Sequence, residues 1–297
     1  MSAEQPPTPP AAAAGSCPAG GATAPCPLCK VTAVELTVQK DKLTLKHDRE
    51  NKLEIKVTGN NFTVEEYRIE IKRASGGGWC VLKRVQTLDP WKAVIAGKFK
   101  LRGVVKACGS EHTSPEKDVE VQFPTYAQIV GDGTVSSDAG TEWSNTLADC
   151  TQTPNRRREK GYWIRLNTKT DTYEHTAVVN GTWNGPAEGA GVEIGSRPAD
   201  APATPDPCSD GATYSVASFH THTPTEFRAA ATPPGSARPI GPSGADNSID
   251  TSDDVPGVVY DFVQSPAGSG SIPMGHAKTS AAQMYHSRGK DRRTTPP

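Results

Sequence analysis

Two histidines one residue apart, His220-Thr221-His222, stand at the end of an apolar run formed by Tyr214, Val216, Ala217 and Phe219. In an extended strand, residues i and i+2 share a face, so both imidazoles reach toward one point. Neutral imidazole is the commonest protein ligand for zinc. Downstream, Ser243-Gly244-Ala245-Asp246 offers a carboxylate as a third ligand, and three protein ligands leave the fourth position of a zinc ion open for water. Upstream, Glu159 precedes Gly161-Tyr162-Trp163-Ile164 and offers a general base. The chemistry that these types and spacings suggest is hydrolysis by a zinc-activated water.

Each piece also has a plainer reading. The histidine pair is equally two polar residues on the wet face of a strand. Ser243-x-x-Asp246 is also a helix-start pattern, in which the serine caps and the aspartate reaches back. Glu159 could simply pair with the basic run Arg156 to Arg158, itself the composition of a solvated face. Asp250, Asp253 and Asp254 are alternative carboxylates, and Glu174 and His175 are a rival base and a rival ligand.

The elements that must position these residues are mostly strands. Residues 1–30 are rich in proline, alanine and glycine and lack the large apolar side chains needed to order themselves, so a disordered tail is expected. From residue 31 the pattern turns to period-two alternation: Val34, Leu36, Val38; Leu53, Ile55, Val57; Tyr67, Ile69, Ile71; later Phe99, Leu101 and Val119, Val121, Phe123. Short strands with one wet face, broken by turns such as Thr58-Gly59-Asn60-Asn61, predict an antiparallel sandwich of immunoglobulin-like type over 31–125. Beyond Phe123-Pro124-Thr125, a helix is expected at about 141–150. Strands are expected at Gly161 to Asn167, Thr172 to Asn180, Tyr214 to His220 and Val255 to Val263. Pro198 to Pro207 reads as an exposed loop, Ser280 to Ser287 as helix-compatible, and Arg288 to Pro297 as a basic tail. Residues 126–297 form the second domain, and the fold class is α+β multidomain.

In order, type and flanking residues, this second domain resembles the JAMM metalloproteases of the JAB/MPN fold, whose pattern is a glutamate at the head of a strand, then H-x-H, then S-x-x-D. Glu159-Lys160-Gly161-Tyr162-Trp163-Ile164 is similar to the family's E-x-x-G-x-[IL], and Val255-Pro256-Gly257-Val258-Val259 to the strand after the site. The resemblance implies a JAB/MPN-like α/β domain with a mixed sheet and zinc on His220, His222 and Asp246. It implies Glu159 as general base and Ser243 as the hydrogen-bond donor that steadies the oxyanion. The reaction implied is hydrolysis of a peptide or isopeptide bond. Two features depart from the family. Thr223 separates His222 from Pro224, and the stretch from His222 to Ser243 is long and rich in Ala, Pro and Arg. The second departure bears on substrate preference more than on metal binding.

Composition narrows the setting. The 297 residues carry a net charge of −1, which gives no reason to expect a nucleic-acid partner. Mean hydropathy is −0.54, with 28 glycines and 26 prolines, as in a loop-rich and strand-rich chain. No apolar run approaches the roughly 18–20 residues of a membrane span. The N-terminus lacks the basic and apolar regions of a secretory signal, so synthesis in the cytoplasm is expected. Seven scattered cysteines announce no disulfide framework. Cys26-Pro27-Leu28-Cys29, with Cys17, resembles half of a zinc knuckle, but no second C-x-x-C or nearby histidine completes it, so an unligated pair, or one completed by another protein's ligands, is expected over a structural metal. A tail and a sandwich ahead of a small hydrolase domain resemble the layout of effectors delivered into a target cell by bacterial contractile or type VI secretion systems. That layout implies a toxin, a spike or carrier protein that loads residues 31–125, a protein or peptide substrate, and an immunity protein. The competing expectations are a housekeeping or phage-tail peptidase acting on protein or peptidoglycan peptides, and a non-catalytic binding module of the same fold.

Overall fold

The computed structural model describes residues 28–152, 155–183, 191–223, 240–246, 253–263, 281–287 and 289–295. Nine strands come first: β1 (Lys30–Val38), β2 (Lys42–Thr44), β3 (Glu50–Asn60), β4 (Val64–Arg73), β5 (Cys80–Lys83), β6 (Thr87–Lys92), β7 (Gly97–Ala107), β8 (Ser110–Thr113) and β9 (Lys117–Gln122). They form two sheets. One runs β1-β3-β6, the other β2-β9-β7-β4-β5 with β8 against β7, and every pair except β2–β9 is antiparallel. The alternation in the sequence is the cause: Leu36, Leu53 and Ile55 of the first sheet and Ile69, Ile71, Phe99 and Leu101 of the second are all buried. The sheets face each other closely. A Cβ on Gly103 of β7 would come within 2.9 Å of the Ile55 side chain of β3, so the glycine is what lets the layers meet there.

The remaining elements are α1 (Tyr126–Val130), α2 (Gly133–Asp149), β10 (Thr151–Gln152), β11 (Asn155–Arg156), β12 (Lys160–Asn167), β13 (Thr172–His175), β14 (Val179–Asn180), β15 (Thr213–Thr221), β16 (Gly257–Phe262) and β17 (Ala282–His286). Their main sheet runs β13-β12-β15-β16-β17, with β14 also on β12. It is mixed: β15 and β16 are parallel, the other pairs antiparallel. Thr125 and Gln128 make a reciprocal capping box at the start of α1, and Asp132 caps α2 through Thr134 N. Helix α2 lies on β12, β13 and β15, and Trp143 stacks on Tyr260 and meets Phe262 edge-on. No helix among the described residues is long and apolar enough to cross a membrane.

The two halves share one hydrophobic core, running from Val34 to Val258. Tyr214 of β15 accepts a hydrogen bond from Ala96 N at 3.1 Å, and its ring meets Phe123 edge-on. Thr168 donates to Val94 O at 2.7 Å, and His47 reaches Tyr173 Oη at 3.1 Å.

Several expectations are corrected. Cys29 is not half of a zinc knuckle: it is disulfide-bonded to Cys108, and Cys80 is bonded to Cys208, while Cys17 and Cys26 lie outside the described residues. Most of the tail expected over 1–30 lies outside them too, although Lys30 already belongs to β1. The helix expected at 141–150 is the second half of α2. Ser280 to Ser287 contains a strand, because β17 gains a full antiparallel partner in β16. The span Thr172 to Asn180 divides into β13 and β14, both paired with β12. The basic tail is in part structural: Arg293 is buried, bonded through both terminal nitrogens to Asp200 at 2.7 and 2.6 Å and stacked over Phe123.

Candidate metal centre

Strand β15 carries His220, and His222 follows one residue beyond the strand's end. Thr221, between the two, faces the opposite side, where its hydroxyl lies 2.6 Å from Thr146 Oγ1 of α2 and accepts from Lys160 N at 3.1 Å. Alternation along the strand therefore pins Thr221 under the helix and turns His220 and His222 away from it. The ring centroids of the pair are 5.2 Å apart.

Asp246 reaches this face from a separate loop. Its Oδ1 lies 3.2 Å from His220 Nε2 and its Oδ2 3.3 Å from His222 Nε2. Ligand atoms of His220, His222 and Asp246 all lie within 4.8 Å of one another. Zinc bonds of about 2.1 Å in tetrahedral geometry hold ligand atoms about 3.4 Å apart, so this donor set and its spacing fit the ion. Burial pushes the Asp246 carboxyl up, but hydrogen bonds to His220 and His222, with the charge on those rings, outweigh it and hold the group well below the usual carboxylate range.

The helix-start reading of Ser243-x-x-Asp246 holds, and it is compatible with a carboxylate that faces the histidines. Ser243 N donates to Asp246 Oδ2 at 2.6 Å and Asp246 N donates to Ser243 Oγ at 3.2 Å, the reciprocal pair of a helix start. The local turn thus fixes the carboxylate in the orientation that faces the histidines.

Glu159 is buried immediately before β12. Gly161 pairs with His220, so two residues further along the antiparallel register Glu159 falls opposite His222. Its carbonyl accepts from Gly181 N at 2.8 Å. The rivals fall elsewhere: Glu174 and His175 are exposed on edge strand β13, and His175 approaches Asp138 at 3.9 Å. Asp254 binds the C-terminal segment through Lys290, Thr294 and Thr295. Asp250 and the insertion from 224 to 239 lie outside the described residues.

Two features beside the site were not anticipated. Asp261 of β16 is fully buried and its Oδ2 lies 3.1 Å from His222 Nδ1. Its one signal in the sequence is an acid inside the run Val258-Val259-Tyr260-Asp261-Phe262. The basic run before Glu159 is not a uniform solvated face either. Arg157 is buried, and Arg156 and Arg158 each stack on the exposed Trp183 ring at 4.2 Å. Arg158 also bonds Asp149 at 2.7 Å, which Lys160 shares at 2.9 Å.

A second cluster, Cys80, Asp206 and Cys208, brings three possible ligand residues together, but the disulfide occupies both sulfurs. Compared with known proteins, the chain matches no family model, no curated protein and no solved structure.

Proposed function

We propose that the protein is a zinc-dependent amide hydrolase, a peptidase or isopeptidase, with a JAB/MPN-like domain behind an immunoglobulin-like sandwich. The observation that carries this reading is the convergence of Asp246, from its own loop, on both Nε2 atoms of the His220–His222 pair at 3.2 and 3.3 Å. His220, His222 and Asp246 hold the ion. When bound, zinc polarises the scissile carbonyl and acidifies water toward a pKa of about 7. Glu159, buried just before β12, would serve as the general base that holds and moves a proton between water and the leaving amine. The Ser243 hydroxyl accepts from Asp246 N, so its own proton is directed elsewhere and can donate to the carbonyl oxygen as negative charge develops. The residues of β12 and the loop around 243 thus act from separate elements on one bond.

For the setting, we propose a secretion-system effector with a carrier and an immunity protein, resting on domain layout alone. The two disulfides favour a specific variant of the competing reading. Such bonds persist in oxidising compartments, so a substrate outside the cytoplasm, such as peptidoglycan peptides, suits this chain.

Elemental analysis tests the metal. About one zinc per chain is expected in the wild type and close to none after His220→Ala with His222→Ala. Equal metal in the two proteins would remove the site. Hydrolysis of a panel of peptidoglycan stem peptides and lysine ε-isopeptides, with and without a chelator, separates the two settings.

A further inference from the structure

We infer that Asp261 is a positioning residue that fixes the ring of His222 and the loop of Asp246 in one arrangement, so that both ligands are aimed before metal arrives. The inference rests on the zinc reading above and extends it to a residue outside the three ligands.

Asp261 is an unusual occupant of its strand. Its neighbours Val259 and Phe262 are fully buried, and so is the carboxylate itself, at 0% exposure. A buried carboxylate is costly without several donors. Three are present. His222 Nδ1 lies 3.1 Å from Oδ2, Gly241 N donates to the same oxygen at 2.8 Å, and Phe262 N donates to Oδ1 at 2.8 Å. Both oxygens already accept backbone N–H groups, so the carboxylate faces His222 as an acceptor; Nδ1 carries the proton of that contact, and the Nε2 lone pair is left for the ion once it binds beside Asp246. Nε2 is indeed the atom facing Asp246 at 3.3 Å.

The bond from Gly241 gives the carboxylate a second task. Residues 240–246 carry Ser243 and Asp246, and Gly241 enters that segment with φ +80°, close against the Tyr285 ring. Tyr285 in turn donates to Phe262 O at 2.7 Å. One oxygen of Asp261 therefore sets both the ring of one ligand and the entry of the loop that delivers another. Partners of this kind commonly account for 10–100-fold in metal affinity.

Asp261→Asn keeps the shape but turns one acceptor oxygen into a donor facing either Phe262 N or the pair His222 Nδ1 and Gly241 N. Zinc affinity, measured by competition with a chromophoric chelator, is expected to fall about 10–100-fold in the variant, with the melting temperature of the zinc-free protein as the control for folding. Long-range proton–nitrogen spectra of the wild type are the second readout, and they stand even if the variant does not fold. His222 is expected to show a protonated, slowly exchanging Nδ1 with zinc bound. An unprotonated Nδ1 in the wild type, or a folded variant that binds zinc as tightly as the wild type, overturns the role of Asp261 and leaves the zinc reading standing. Absence of zinc binding by the wild type is a different result, and it overturns the zinc reading and this inference together.

Discussion

Glu159 and the zinc ligands must fail differently if their roles are those proposed. Replacing Glu159 with glutamine keeps its size where it is buried opposite His222. The variant is expected to retain zinc and its melting temperature while kcat falls about 10²–10⁴-fold, the usual contribution of a general base. Elemental analysis beside steady-state kinetics on the best peptide of the panel checks this. Loss of zinc in Glu159→Gln would make the glutamate a ligand or a structural group instead. Four candidate residues could be picked out in the sequence because chemistry constrains spacing: His220 and His222 by strand period, Asp246 by its turn, Glu159 by the strand it heads, and the structure brings the first three together. Asp261 was not legible. A lone acid in an apolar strand has no spacing to read, and its meaning comes from the parallel pairing of β15 with β16, which sets Thr221 beside Tyr260 and so brings Asp261 next to His222.

At the scale of elements, the strands followed the alternation of their side chains and the exceptions followed tertiary pairing. The Ala-Ala-Gln-Met segment at 281–284 consists of good helix formers, yet β17 completes the sheet beside β16, because propensity is a weak bias that packing overrides. The first half of α2 was missed for the converse reason: Gly133, Ser136, Ser137 and Gly140 are poor helix formers, and the helix rests instead on the Asp132 cap and on burial of Val135 and Ala139 against the sheet. The contact between α2 and β15 makes a prediction of its own. Thr221→Val removes the hydroxyl shared by Thr146 and Lys160 N while leaving both histidines in place. The expected cost is about 1–3 kcal/mol for buried polar groups left unmatched. Chemical denaturation should show it, with zinc content per folded chain unchanged. A loss of zinc at unchanged stability would mean that α2 steers the ligands directly.

For the whole molecule, the sequence suggested a sandwich and a hydrolase domain in series, but the halves are joined by a continuous core and by the Cys80–Cys208 bond between β5 and the loop before β15. Cysteine positions alone could not reveal this, since pairing depends on which strands meet. Cys80→Ser with Cys208→Ser is expected to lower stability by about 2–4 kcal/mol, read as an earlier denaturant midpoint, and reductant should shift the wild type the same way. An unchanged midpoint in both would mean the core alone holds the halves together. The separation of the two partners, 128 residues, also sets an order of events. Cys29 and Cys108, 79 residues apart, are both available once the sandwich strands have been synthesised. Cys80 emerges early and must wait for Cys208. The bridge across the halves is thus a late bond, a mark that β5 and the segment before β15 have already met.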